Sequence, residues 1–246
     1  MRWLAHAVIA TLLTVLTQLG GVAWLVSRAL PRPLASFAML YAVAGIAALW
    51  LAPLAGRVPL SCLGDGPLSM QSPLYCVLNR QSVDPVMAAA AEAAAEDVAT
   101  AFPGTVTLAL DASFPFVDGF PLLPHLSHDD GAALDLAFYY RDAGGYAAGA
   151  TPSPIGYFAF EPGPTDCPDR WPTLRWDLDW LQPLWPAMAL DEARLRVLVE
   201  RLAADDRVDR MFLEPHLARR LDVAGPKLRF QGCRAARHDD HLHVQR

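Results

Sequence analysis

Two apolar stretches at the front of the chain set the first limit on what it can become. Trp3 to Val26 and Leu34 to Leu54 are almost wholly apolar, carry no charge, and are each long enough to cross a bilayer. Between them "SRALPRP", with Arg28 and Arg32 beside a proline-bounded turn, is too short to be more than a hairpin loop. The expectation is a two-helix transmembrane hairpin over residues 1–57 that anchors the chain in the cytoplasmic membrane and leaves both termini on one side. Arg2 and Arg57 on that side balance Arg28 and Arg32 on the other, so loop charge does not orient the hairpin.

The first 57 residues hold four arginines and no acid, which leaves 16 basic against 26 acidic side chains in the remainder. A surface of that sign excludes nucleic acid as a partner. Cys62, Cys76, Cys167 and Cys233 all follow the second apolar run, are even in number and show no CxxC spacing. They allow two disulfides in three connectivities, which points to an oxidising compartment and so to a periplasmic or extracellular domain.

A Gly/Pro/Ser-rich stretch around "LGDGPLSMQSP" makes 58–83 read as a connector, with the folded domain over 84–246. There Asp84 can cap and Pro85 can open an alanine-rich helix that ends before Pro103 and Gly104. "TVTLALD" (105–111) and "LDLAFYY" (134–140) read as strands, and "GYFAF" (156–160) as another. "DEARLRVLVERLAA" repeats Leu195, Leu198, Val199 and Leu202 on one helical face. A strand at "VDRMFLEP", a short helix at "HLARRLDVAG" and a closing strand at "HLHVQR" follow. Without regular βαβ alternation, the fold class is α+β with a small antiparallel sheet. No GxGxxG, GxxxxGK or GxSxG motif occurs.

Five of the seven histidines fall in two clusters more than a hundred positions apart, "PHLSHDDGAALDL" and "HDDHLHVQR". His128 and Asp135 are separated by Gly131, which permits a tight bend into the following strand. His241 and His243, two apart, share one face of a strand while Leu242 packs behind. Two histidines and one carboxylate, with a fourth position left to water, make an open zinc site of the kind that does chemistry, with His241 placed as the adjacent base. His6 and His216 read as structural. Asp129, Asp130, Asp239 and Asp240 read as solvated loop charges able to orient a ligand histidine.

The HxxGxAxD pattern at His128, Gly131, Ala133 and Asp135, together with the terminal His-x-His, resembles the LAS metallopeptidases, the group of lysostaphin, D-alanyl-D-alanine peptidases and hedgehog. HxxH at His125 and His128 and HxxHxH at His238, His241 and His243 are closest to penicillin-insensitive murein endopeptidase. The resemblance implies a LAS/hedgehog-like domain with Zn2+ held by His128, Asp135 and His243, His241 as the catalytic histidine, and His125 and His238 as accessory histidines. It implies hydrolysis of amide bonds in peptidoglycan peptides, and leaves a D,D- or L,D-carboxypeptidase or a non-catalytic zinc-binding envelope module as alternatives. The chain has Leu126 where LAS patterns usually place a serine, and His241 where many members use glutamate. The aromatic and Pro-rich region 157–185 is expected to wall the pocket.

Overall fold

The computed structural model describes residues 2–64, 66–168, 175 and 178–246. Its first apolar run is not one helix. α1 (Arg2–Thr17) ends at Gln18, whose backbone is left-handed with φ 62°, and α2 (Gly20–Ser27) returns antiparallel along it, so that the Trp24 ring lies 5.8 Å from His6. Two glycines permit the reversal: a Cβ on Gly21 would collide with the Ala10 carbonyl and the Thr14 hydroxyl, so the helices approach this closely only where a side chain is missing. The end of α1 is buried, where Asn79 Nδ2 donates to the Thr17 carbonyl (3.2 Å) and the Gln18 side chain accepts from Phe116 N at Oε1 (3.1 Å).

α3 (Pro33–Leu51) runs on through a 3-10 turn, Ala52–Ala55. Among the described residues this Pro33–Ala55 stretch of 23 residues is the one helix long and apolar enough to cross a membrane. The expected pair of spans is therefore corrected to one helix of spanning length preceded by a shorter helical pair. Average hydropathy does not register a turn made of Gln-Leu-Gly-Gly.

The stretch 58–83 is built into the domain. It carries β1 (Val58–Pro59), β2 (Leu68–Met70), α4 (Pro73–Val77) and β3 (Ser82–Val83), and a Cys62–Cys76 disulfide closes it. α5 (Pro85–Ala101) begins where expected, with Asp84 Oδ1 accepting from Val86 N and Met87 N, both at 2.8 Å. Then come β4 (Thr107–Ala109), β5 (Ala133–Ala137), β6 (Tyr140–Asp142), β7 (Gly145–Tyr146), β8 (Ala189–Leu190), α6 (Glu192–Ala204), β9 (Arg210–Phe212), α7 (Pro215–Arg220), β10 (Leu228–Arg229) and β11 (His241–Gln245).

The fold is mixed α+β. Its main sheet has six strands in the order β10-β9-β11-β5-β4-β2, antiparallel through the centre and parallel at its two outer pairs. The last strand of the chain is thus central rather than an edge. One sheet face presents Leu134, Leu136, Met211, Leu242 and Val244 to the core shared with α5 and α6. Leu195, Leu198, Val199 and Leu202 of α6 are all buried there, each contributing about 1.5–3 kcal/mol.

"GYFAF" is not a strand, because its backbone is engaged elsewhere. Phe158 is left-handed (φ 64°), its N donates to Asp240 Oδ2 (2.6 Å), and its carbonyl accepts from Trp185 Nε1 (3.1 Å). A second disulfide, Cys167–Cys233, completes the pairing of all four cysteines.

Candidate metal centre

The sheet face opposite the core carries the polar residues. Strand pairing sets Asp135 of β5 directly across from His243 of β11, and Leu136 across from Leu242. Because side chains alternate, placing the leucines in the core forces Asp135, His241 and His243 to the other face. His243 Nδ1 lies 2.6 Å from Asp135 Oδ1, and all three residues are buried.

His128 and His125 arrive on the loop between β4 and β5. Gly131, at φ 80°, makes the bend, and a Cβ there would sit 2.8 Å from Arg57 Nε and 2.9 Å from Asp84 N. His128 Nδ1 donates to the Ala112 carbonyl at 3.0 Å, so Nε2 is the atom turned toward the cluster. That Nε2 is 3.2 Å from His243 Nδ1 and 3.3 Å from Asp135 Oδ1.

Imidazole nitrogens and a carboxylate this close together can share a proton or hold a cation. Tetrahedral ligands at about 2.0–2.1 Å from a metal are about 3.3 Å apart. The His128–His243 and His128–Asp135 separations match this, whereas His243 and Asp135, 2.6 Å apart, are at hydrogen-bond distance and must part for both to hold a metal. His125, His128 and Asp135 also bring one donor atom each within 4.8 Å of one another, and this group can hold a metal ion. His125, however, has Nδ1 between Asp111 Oδ2 (2.9 Å) and Asp135 Oδ2 (3.2 Å). Burial opposes its charge, but hydrogen bonds to Asp111 and Asp135 raise its pKa to about 10, so in the metal-free chain it is a donor to both carboxylates. Burial also opposes the charge on Asp135, yet the imidazoles of His128, His241 and His243 hold it well below the usual carboxylate range.

His241 Nδ1 is 2.6 Å from Asp240 Oδ1, so its Nε2 is the atom turned toward the cluster, 3.7 Å from Asp135 Oδ1. Burial lowers its pKa, but Asp135 and Asp240 outweigh burial and raise it. The His238 ring lies tilted beside it, ring centroids 4.9 Å apart. Burial, followed by His241 and His243, pushes His238 well down, so its imidazole is neutral. All six residues singled out from the sequence line one cavity of about 400 Å³.

Three contributors are not apparent from the motifs. The Tyr157 hydroxyl donates to Asp135 Oδ2 at 2.6 Å, and burial with Asp135 and Asp111 keeps it protonated. Asp111 anchors His125 and is itself held by Arg80, whose Nε is 2.7 Å from Asp111 Oδ1. The only sequence trace of Asp111 is a carboxylate at the end of an apolar strand. Asp239 and Asp240 are buried, not solvated: Asp239 pairs with Arg237 at 2.6 Å. His216 is structural, its Nε2 facing the Glu161 carbonyl at 3.1 Å. Of the expected wall, Tyr157, Phe158 and Phe160 line the cavity, whereas residues 169–174 and 176–177 lie outside the described residues. Cys167–Cys233 ties the segment after Phe160 to the opposite rim around Gln231 and Ala235.

No family model matches the chain, and no curated protein matches it.

Proposed function

We propose that the chain is a membrane-tethered zinc metallopeptidase that hydrolyses amide bonds in peptidoglycan peptides outside the cytoplasmic membrane. The observation that carries this reading is the cross-strand pair Asp135–His243 converging with His128, while His241 stands two residues along the same face, backed by Asp240. Two imidazoles and a carboxylate suit zinc. When bound, zinc supplies Lewis acidity toward a carbonyl oxygen and lowers the pKa of a water.

The chain's own residues supply the rest. His241 accepts a proton at Nε2, and Asp240 holds the ring in the tautomer that allows it and stabilises the imidazolium that results. Tyr157 and protonated His125 are hydrogen-bond donors beside Asp135, and neutral His238 can accept from a substrate amide. The two disulfides support an oxidising location. Pro33–Ala55 supports the tether. The choice of peptidoglycan peptides rests on the HxxGxAxD and HxxHxH spacings.

The test is metal analysis of the full chain in detergent, followed by mass spectrometry of cross-linked muropeptides after incubation. About one zinc per chain, with cleavage abolished by a chelator and restored by zinc, is the expected result. A zinc-replete chain that leaves both cross-links and terminal residues intact would make it a binding module instead.

A further inference from the structure

We propose that the cavity is loaded from the membrane: its rim is set into the leaflet beside α3, and its substrate is a peptide carried on a lipid anchor in that leaflet. This rests on the peptidase reading and adds the form in which the peptide is presented.

The first support is how the domain meets α3. No linker holds it away. Tyr41 donates its hydroxyl to the Val77 carbonyl, and Asn79 Nδ2 donates to the Tyr41 hydroxyl at 3.1 Å. Tyr41, Gly45, Ala48 and Ala52 fall on one helical face, with Ala48 and Ala52 buried. Tyr41 to Ala55 is about 21 Å of helix at 1.5 Å per residue, more than half of the 23-residue apolar stretch. The domain therefore lies alongside that stretch for much of its length. Met39, Val43, Ile46 and Trp50 on other faces of the same helix are 59–80% exposed.

The second support is that one short element serves both surfaces. Leu74 and Leu78, in and just after α4, line the cavity, while Val77 and Asn79 between and beside them touch α3. The cavity wall is thus about one helix diameter, roughly 10 Å, from the membrane-spanning candidate.

The third is the rim itself. Five of the ten exposed large hydrophobics that follow Arg57 among the described residues are Leu74, Val77, Val117, Leu123 and Leu126. They come from the two segments that meet the helices: Phe116 bonds to Gln18, and Asp118 pairs with Arg57. Such a concentration marks a surface that water does not cover. The segments that carry it are the ones that contact α1 and α3, whose own outer faces are apolar and exposed, and this fits a lipid surface better than a protein partner. A peptide reaching the imidazoles from that side passes Leu74, Leu78 and Leu126, apolar walls suited to a chain that leads back to lipid.

The full chain in proteoliposomes is given the same stem peptide as a soluble muropeptide and on a lipid anchor in the same vesicles. Turnover of the anchored form should be at least about tenfold faster. Confinement to one vesicle raises encounter by itself, so Val77→Asp and Leu123→Asp, neither of which lines the cavity, decide the matter. Both should lose most of the preference and keep the soluble rate. Equal rates in the unaltered chain, or a preference untouched in both variants, would overturn the proposal. A second arm needs no activity: in lipid nanodiscs, a benzophenone side chain at position 123 should photo-crosslink to acyl chains, and one at position 200 on α6 should not. Absence of lipid adducts at 123 refutes membrane loading even if soluble peptides are cleaved. Lipid adducts with no cleavage of either substrate leave the docked rim standing and remove the peptidase reading.

Discussion

The two halves of the candidate metal centre are built differently. Asp135, His241 and His243 lie on paired strands, where leucines in the core fix which face they occupy and the ladder fixes their separation. His125 and His128 lie on a loop whose course is set by partners far away in sequence: Arg57 with Asp118, Arg80 with the Leu123 carbonyl, and Asp84 N with the Gly131 carbonyl. The strand half is preorganised by folding of the sheet, whereas the loop half depends on the N-terminal region being docked. Candidate ligands divided in this way report on two assemblies at once.

The sharpest test of that division is which histidine completes the triad. Asp135→Ala, His128→Ala and His243→Ala should each reduce bound zinc to well below one per chain and bring activity to the level of the chelated protein. His125→Ala should keep its zinc, because its partners are carboxylates on both sides. Metal analysis of the four proteins checks this; zinc retained by His243→Ala and lost by His125→Ala would move the third ligand from the strand to the loop.

A smaller effect is expected one step along β11. His241→Ala should stay folded and zinc-replete but lose about two to four orders of magnitude in kcat, the range for a positioned acid–base group. KM should change little. Near-normal turnover in a zinc-replete variant would take the base role from the strand and give it to His125 or His238. Smaller again is Asp240→Asn, which leaves the ring in place but removes the charge behind it. A loss of about 10–100-fold in kcat is expected, with the acid limb of the pH profile displaced to lower pH as His241 loses a partner that raised its pKa. An unchanged profile would reduce Asp240 to a loop contact.

How much of this could be read in the sequence follows the same division. His-x-His on a strand and His-x-x-Gly-x-Ala-x-Asp around a bend are local statements about spacing, so His128, Asp135, His241 and His243, with the neighbouring His125 and His238, could be picked out together, and all six line one cavity. Helices α5 and α6 were equally legible, since a capping Asp-Pro and an apolar face are local too. Asp111, Tyr157 and Arg80 join the site through tertiary contacts, and nothing in their immediate neighbours marks them. "GYFAF" carries a strand's composition, but Asp240 and Trp185 bind the backbone groups that a ladder would have used. The reversal at Gln18 was hidden for a related reason: its turn is stabilised by Phe116 N and Asn79, almost a hundred and some sixty residues onward.

The smallest effect concerns the loop half when the metal is removed, and its sign comes from His125. Its folded pKa of about 10 lies above the ordinary 6.5, so protonation stabilises the native state. That contribution is fully present below about pH 6.5 and is lost as pH rises toward 10. The metal-free chain should therefore melt at progressively lower temperature across that window, by roughly 2–4 °C for each kcal/mol that deprotonation removes in a domain of this size. His125→Gln keeps a hydrogen-bond donor near Asp111 and Asp135 but cannot titrate, so its melting temperature should be flatter over the same range. Zinc should flatten the unaltered chain as well, because a cation beside Asp135 removes part of the negative field that holds the proton on His125. Parallel thermal melts of the two metal-free proteins at pH 6.5 and 9.5 measure the difference; identical slopes would show that the carboxylates are neutralised by other groups and that the loop half owes its stability to Arg80 and Arg57 alone.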